Sequence, residues 1–105
     1  MTAPVALFVY NRADNTEKTL EALMANTLAS ETDLYVFSDG GKDAQSWEQV
    51  HQVRQLLHRV QTQVKRTQAL KSMTLVFRPQ NLYLEQNITS GSAQVFQKHD
   101  CIIVL

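Results

Sequence analysis

Polar side chains follow three apolar segments of the sequence, each at the point where the segment ends. They are Asn11-Arg12, Ser38-Asp39, and Arg78 with Gln80-Asn81. A guanidinium can hold a diphosphate through two parallel hydrogen bonds. A carboxylate can accept a hydrogen bond from a base N–H or a ribose hydroxyl. If the three segments end at one edge of a sheet, these groups are suited to binding a nucleotide.

The residues also allow a simpler interpretation. Loops on the ligand side of a sheet are polar in any case. Arg12 and Asp39 could therefore form a surface ion pair and a turn, without any ligand. Residue types and spacing alone leave both interpretations open.

Several familiar sites are absent from the sequence. No G-x-G-x-x-G follows the first apolar segment, and no G-x-x-x-x-G-K-[ST] occurs, which argues against dinucleotide-binding and P-loop sites. The sequence contains no G-x-S-x-G elbow and no His, Cys or carboxylate cluster with metal-ligand spacing. A phospho-receiver domain would need two acidic residues where Asn11-Arg12 stand.

The apolar segments read as strands, because they are short, rich in β-branched and aromatic residues, and bounded by turn residues. They are Pro4 to Tyr10, Leu34 to Phe37, Met73 to Phe77, and Cys101 to Leu105. Between them, apolar residues recur at helical spacing. These stripes are Leu20, Leu23, Met24 and Leu28, in a helix expected to end in the polar segment from Asn26 to Thr32, and Trp47, Val50, Val53, Leu57, Val60 and Val64. Residues 82–86 read as a loop or a helical turn. A helix is expected from Asn87 to Phe96, with Ile88, Ser92, Val95 and Phe96 facing inward. We expect Asp14 or Asn15 to cap the first helix, and the second to begin near Asp43 or Ser46.

The resulting order, βαβαβαβ, predicts an α/β fold. We expect a Rossmann-like three-layer sandwich with a parallel four-stranded sheet in the order 3-2-1-4. In such sheets the ligand crevice lies outside the carboxyl ends of the strands. Asp39, followed at once by Gly40 and Gly41, is therefore expected to meet the ligand.

Composition limits the remaining classes. The chain has 105 residues and a net charge of zero, which argues against a nucleic-acid partner. Cys101 is the single cysteine, so no disulfide framework is expected. The first apolar segment is too short for a signal peptide or a membrane span. We therefore expect a soluble, cytoplasmic protein.

Other conspicuous side chains have ordinary structural interpretations. His51 and His58 lie two helical turns apart without acidic partners, so a metal or base role is not favoured. Trp47 is expected to anchor its helix in the core rather than to stack on a ligand. His99-Asp100 is expected to end a helix, and Cys101 to be buried and unreactive in a strand.

Three segments together resemble a known family. PVALFVYNR, FSDGGKD and RPQNLYLEQNITSGSAQVFQKHDCIIVL are similar to the N-terminal half of GT-A-fold glycosyltransferases. The nearest likeness is to bacterial sugar transferases related to the N-acetylglucosaminyltransferases that act on mannose-type glycans. A glycine that this group often has after the Asn of the third segment is absent here or replaced by Tyr83.

The resemblance implies a function and roles for matched residues. The function is transfer of a sugar from a nucleotide-sugar donor, a UDP-sugar, to a hydroxyl of a glycan or other acceptor. Asn11 and Arg12 would lie at the donor nucleotide, with Arg12 near the phosphates. Asp39, next to Gly40, would accept a hydrogen bond from uracil N3–H. Asn87 and Gly91 would lie near the sugar–phosphate side.

The resemblance also implies parts that this sequence does not contain. In the family an acidic motif directly after the fourth strand binds a divalent metal, Mn or Mg, that bridges the donor diphosphate. The sequence ends at Leu105, before such a motif. We therefore expect residues 1–105 to be the N-terminal, nucleotide-sugar-binding part of a truncated GT-A domain. It would have no catalytic residues or metal ligands of its own and would be inactive alone.

A different class of function stays open at this point. The chain could be a non-catalytic Rossmann-like module that binds a nucleotide or another protein. The terminal strand could also recruit a second copy of the chain, since unpaired strand edges favour such association.

Overall fold

The computed structural model describes residues 4–96 and 103–104, which form an alternating series of strands and helices. The strands are β1 (Val5–Val9), β2 (Asp33–Ser38), β3 (Ser72–Phe77) and β4 (Ile103–Val104). The helices are α1 (Ala13–Met24), α2 (Ala44–Thr67) and α3 (Tyr83–Phe96), and a short 3-10 turn spans Ala29–Glu31.

Three full strands make up the sheet. β1, β2 and β3 are parallel neighbours in that order, in a register that pairs Val5 with Leu34 and Asp33 with Ser72. Because all three strands run the same way, their carboxyl ends lie at one edge of the sheet, as the nucleotide interpretation requires.

The prediction of a four-stranded sheet in the order 3-2-1-4 needs correction. The sheet is one of three strands of five or six residues, and the fourth position, beside β1, holds only the two-residue β4. A run of five apolar residues predicts a buried segment, but hydrophobicity does not fix how many residues enter the hydrogen-bonded ladder. Cys101, Ile102 and Leu105 of the predicted strand lie outside the described residues, as do His99 and Asp100.

Helices cover the sheet unequally on its two faces. Leu34 and Val36 of β2 face α1 and α2, in a core that contains most of the buried aliphatic residues. Tyr35 and Phe37 alternate with them and face α3, in a smaller cluster. This alternation follows from the two-residue period of a strand, and it gives the molecule three layers.

Helix α2 is organised as its stripe predicts. Val50, Val53, Leu57, Val60 and Val64 are all buried, which confirms those five positions. The helix begins after Asp43, whose carboxylate accepts from the backbone N–H of Ser46, while the Ser46 hydroxyl oxygen accepts from the backbone N–H of Asp43. This reciprocal pair is a capping box.

Two predicted helix boundaries are wrong. α1 begins at Ala13, so Asp14 and Asn15 lie inside it, and the helix stops at Met24, which leaves Leu28 48% exposed. α3 begins at Tyr83 rather than Asn87. None of the helices in the described part of the chain is long and apolar enough to cross a membrane.

Candidate functional site

The loops after β2 and β3 pack directly on each other at the carboxyl edge of the sheet. A Cβ on Gly40 would lie only 2.5 Å from the backbone carbonyl carbon of Gln80, so no larger residue fits there without movement. Asn81 fixes the same junction, because its Nδ2 donates to the carbonyl oxygen of Gly40 at 2.8 Å. Gly40 thus serves close backbone packing.

Asp39 lies at the centre of this junction and is only 4% exposed. Its Oδ1 accepts from the backbone N–H groups of Gly40 at 2.9 Å and Leu82 at 2.8 Å. Its own N–H donates to the carbonyl of Val9, the last residue of β1. Among the described residues no donor contacts Oδ2. One carboxylate oxygen therefore bonds the loops after β2 and β3, and the other has no hydrogen-bond partner among the described residues.

A cavity of about 260 Å³ opens beside this carboxylate. Its lining combines three aromatic rings with a few polar groups. The lining residues are Phe8, Val9, Tyr10, Asp39, Lys42, Asn81, Tyr83 and Asn87. Mostly apolar walls with a few placed polar groups are typical of small-molecule sites.

Asn87 brings a second polar group to the cavity and is 2% exposed. Its Oδ1 accepts from Nε of Arg78 at 3.1 Å, which fixes the orientation of the amide. The Nδ2 donor is then the atom without a partner in the described part of the chain. Asp39 and Asn87, two of the predicted site residues, therefore line one cavity and offer an acceptor and a donor.

Arg78 is engaged with α3 instead of pointing into open solvent. Besides Asn87, its Nη2 donates to Oε1 of Gln94 at 3.1 Å, and its Cζ lies 5.4 Å from the centroid of the Phe37 ring. Arg78 thus positions the helix that carries Asn87.

Asn11 and Arg12 do not line the cavity of Asp39. They border two grooves on the α1 side of β1, of about 530 and 300 Å³. Asn11 Nδ2 donates to Oε1 of Gln49 on α2 at 3.1 Å. Arg12 is exposed, and its side chain forms no ion pair with the buried Asp39, so the ion-pair interpretation is wrong.

Gly91 lets α3 approach the sheet closely. A Cβ there would lie 2.7 Å from Cε1 of Phe8 and 3.1 Å from two ring carbons of Phe37. The Phe8 and Phe37 rings are stacked, with centroids 5.2 Å apart. Since Phe8 lines the cavity, Gly91 helps to shape the cavity wall without itself lining the cavity.

Arg54 is a structural residue of the site that sequence reasoning missed. Its Nε donates to Oγ of Ser38 at 3.0 Å, and its Nη2 contacts the carbonyl oxygens of Ser38, Asp39 and Arg78 at 3.2, 3.3 and 2.8 Å. Burial lowers the pKa of this guanidinium, an effect that the Asp39 carboxylate opposes.

A signal for Arg54 was present in the sequence. It lies four residues after Val50 and three before Leu57, so it belongs to the apolar stripe of α2. The guanidinium packs against the rings of Phe77, at 4.6 Å, and Trp47, at 5.3 Å. A charged residue on a core-facing stripe needs buried acceptors, and here the ends of β2 and β3 provide them.

Neither histidine of α2 forms a metal centre with its neighbours. Within residues 4–96 and 103–104, no group of three or more His, Cys, Asp or Glu side chains could hold a metal ion. His51 lies against Trp47 and His58 against Phe77, with ring centroids 5.6 and 5.3 Å apart.

Larger grooves lie elsewhere on the surface. One of about 890 Å³ runs between the outer sides of α1 and α2, and one of about 610 Å³ lies at the opposite, N-terminal end of the sheet. Neither includes a residue from a carboxyl end of a strand. The small cavity at Asp39 is therefore the stronger candidate, because position and chemistry agree there.

Comparison of the chain with family models, with curated proteins and with solved structures finds no match.

Proposed function

We propose that this chain binds the nucleotide of a UDP-sugar donor, as the donor-binding part of a glycosyltransferase that transfers the sugar to an acceptor hydroxyl. One observation carries the proposal. Asp39, a buried residue at the carboxyl edge of a parallel sheet, has one carboxylate oxygen held by two backbone N–H groups, and it lines an aromatic-walled cavity.

The polar groups of the cavity suit the hydrogen-bonding edge of uracil. That edge presents the N3–H donor between two carbonyl oxygens. Oδ2 of Asp39 would accept from N3–H, and Nδ2 of Asn87 would donate to one of the carbonyl oxygens.

The cavity has room for a base but not for a whole nucleotide-sugar. The cavity of about 260 Å³ is smaller than the roughly 300–1,000 Å³ of whole-ligand sites. We therefore place only the base inside it. The ribose, diphosphate and sugar would extend outside, along the carboxyl edge of the sheet.

Arg12 and Asn11, which lie outside the cavity, have proposed roles at the phosphates. Arg12 stays a proposed phosphate contact, since its guanidinium is exposed and has no ion-pair partner among residues 4–96 and 103–104. Asn11 would act next to it. We assign no catalytic residue to this chain, and no group of three or more potential metal ligands occurs among the described residues.

A nucleotide titration of the wild type and Asp39→Asn tests the proposal. The asparagine can keep Oδ1 on the N–H groups of Gly40 and Leu82, so its Nδ2 replaces Oδ2 at the cavity. A donor would then face uracil N3–H, and UDP binding should weaken about tenfold or more, since hydrogen bonds to charged groups contribute ~1.5–3 kcal/mol.

The same variant should improve binding of CDP. Cytosine presents an unprotonated N3, which repels the Asp39 carboxylate but accepts from the side-chain amide that Asp39→Asn introduces. Calorimetric titration with UDP, CDP, ADP and GDP measures the preference. Asp33→Asn is the matched control, because it makes the same change at the opposite end of β2.

Two results would contradict the proposal. One is equal binding of all four nucleotides by the wild type. The other is an unchanged ratio of UDP to CDP affinity in Asp39→Asn, provided that urea unfolding shows the variant to be folded.

A further inference from the structure

Tyr83 and Lys42 form the outer wall of the cavity at Asp39. The Lys42 Nζ lies 4.9 Å from the centroid of the Tyr83 ring and 6.0 Å from that of Tyr10. Both distances are within the range of cation–π attraction. Tyr83 is 63% exposed, so much of a large aromatic side chain is open to solvent beside the cavity.

The backbone of Tyr83 has an unfavourable conformation. Its φ is 60°, in the left-handed region that a bulky side chain rarely adopts. The loop fixes this conformation, since Tyr83 N–H donates to Oδ1 of Asn81 at 3.0 Å and Asn81 in turn bonds the carbonyl of Gly40. Glycine would fit this position without strain, so the ring is the feature that needs an explanation.

Lys42 has a fixed backbone and an uncommitted ammonium group. The backbone N–H of Lys42 donates to Oγ of Ser46 at 2.7 Å, next to the N-terminal cap of α2. No carboxylate lies within ion-pair distance of Nζ in the described part of the chain, and no side-chain hydrogen bond holds it there. The ammonium lies near the two tyrosine rings, from which a stronger anionic partner could draw it.

We propose that Tyr83 and Lys42 determine which ligand the cavity holds: the Tyr83 ring stacks on the face of the base, and the Lys42 ammonium binds the diphosphate of a pyrimidine nucleoside diphosphate. This inference rests on the proposed function. Stacking on an aromatic ring favours a planar base, and a point charge at the cavity mouth favours an anionic extension.

Substitutions at Tyr83 can separate the contribution of its ring to binding from the strain in its backbone. Tyr83→Gly removes the ring and the strain, and we expect UDP to bind about fivefold or more weaker, as for loss of a base–aromatic stack. The urea unfolding midpoint should stay the same or rise. Tyr83→Phe keeps the ring and should bind as the wild type does. Gln68→Gly, at the other non-glycine residue with positive φ in the described chain, should raise the midpoint and leave binding unchanged.

The test of Lys42 compares two ligands that differ only in phosphate. Lys42→Gln should weaken UDP binding about tenfold, the range for one lost hydrogen bond to a charged group. Uridine binding should not change, because the base contacts remain. Lys65→Gln, which removes an exposed lysine from the last turn of α2, is the matched control.

The outcomes distinguish this inference from the proposed function. If the wild type binds neither UDP nor uridine, the proposed function and this inference are both wrong. If the wild type binds UDP with the expected preference, but Tyr83→Gly and Lys42→Gln bind UDP as tightly as it does, the proposed function stands and this inference is overturned. A loss of uridine affinity in Lys42→Gln equal to its loss of UDP affinity would also overturn the phosphate role of Lys42.

Discussion

Arg54 joins the ends of β2 and β3, and replacing it by methionine should destabilise the fold. Methionine keeps an apolar stem of similar length between the rings of Trp47 and Phe77. It removes every donor of the guanidinium. Arg54→Met therefore tests the hydrogen bonds of this residue largely apart from its packing.

The structure sets the size of the effect. The carbonyl of Ser38 also accepts from the backbone N–H of Arg78 at 2.9 Å, so it keeps a partner. The carbonyls of Asp39 and Arg78 lose the guanidinium, and a buried acceptor left without a partner costs ~1–3 kcal/mol. Arg54 is only half-buried, so water can reach part of the site. We therefore expect a loss of about 2–3 kcal/mol, against the ~5–15 kcal/mol that stabilises a typical protein.

Urea unfolding followed by circular dichroism measures this loss. With a slope of ~1–3 kcal/mol per M for a small protein, the midpoint should fall by roughly 0.7–3 M. The midpoint of Arg54→Lys should lie between those of the wild type and Arg54→Met, because an ammonium group cannot donate to several carbonyls as the planar guanidinium does. Arg59→Met is the control, since Arg59 is exposed and only 3.9 Å from Glu17 in a surface pair worth ~0–1 kcal/mol.

Two results would contradict this interpretation of Arg54. If Arg54→Met unfolds at the same urea concentration as the wild type, the guanidinium does not stabilise the strand ends. If Arg54→Lys is as stable as the wild type, charge rather than the forked geometry is what matters.

Two further predictions concern packing and pH. Gly91→Ala should destabilise the protein by about 1–2 kcal/mol and weaken UDP binding. The new methyl group overlaps the ring of Phe8, and this overpacking costs more free energy than the higher helix propensity of alanine contributes. Ser90→Ala, at an exposed neighbouring position, should change neither stability nor binding. Hydrogen bonds from Ser46 lower the pKa of Asp43 below its ordinary value of 3.8, so its stabilising contribution is complete above that value and is lost as the pH falls through the lower folded-state value. The difference in urea midpoint between wild type and Asp43→Asn should therefore shrink in acid, and a difference independent of pH would contradict this account.

The sequence predicts the three full strands and helix α2 because their patterns are local. A strand buried on both faces is a short apolar run, and a helix on a sheet is a stripe with the helical period. Leu28 continues the apolar spacing of α1 past Met24, where the helix ends, so spacing alone does not define which apolar residues the helix buries. Nothing in the sequence pattern shows that Tyr83 can begin α3 at positive φ.

The site was predicted in part for a related reason. Topology places Asp39 at the carboxyl edge, and strand order brings α3 with Asn87 next to it. The same reasoning also grouped Asn11 and Arg12 with Asp39, although they turn to the α1 side of β1. Which face a loop side chain takes depends on the turn and its partners, here Gln49 for Asn11, and spacing along the chain does not contain that information.

In the proposed function, Asp39 links folding to recognition. Its Oδ1 bonds the loops after β2 and β3, and the residue lines the cavity in which we propose that Oδ2 binds a ligand. Deleting the carboxylate would leave the N–H groups of Gly40 and Leu82 unpaired, so a loss of binding in Asp39→Ala would also follow from a misplaced loop. Arg54 and Asn81 also donate hydrogen bonds to the backbone of the loop after β2, at Asp39 and Gly40. In the proposed function, Oδ2 would be held in place before a ligand binds, which lowers the ordering cost of binding. Only a substitution that preserves the Oδ1 contacts would therefore test recognition alone.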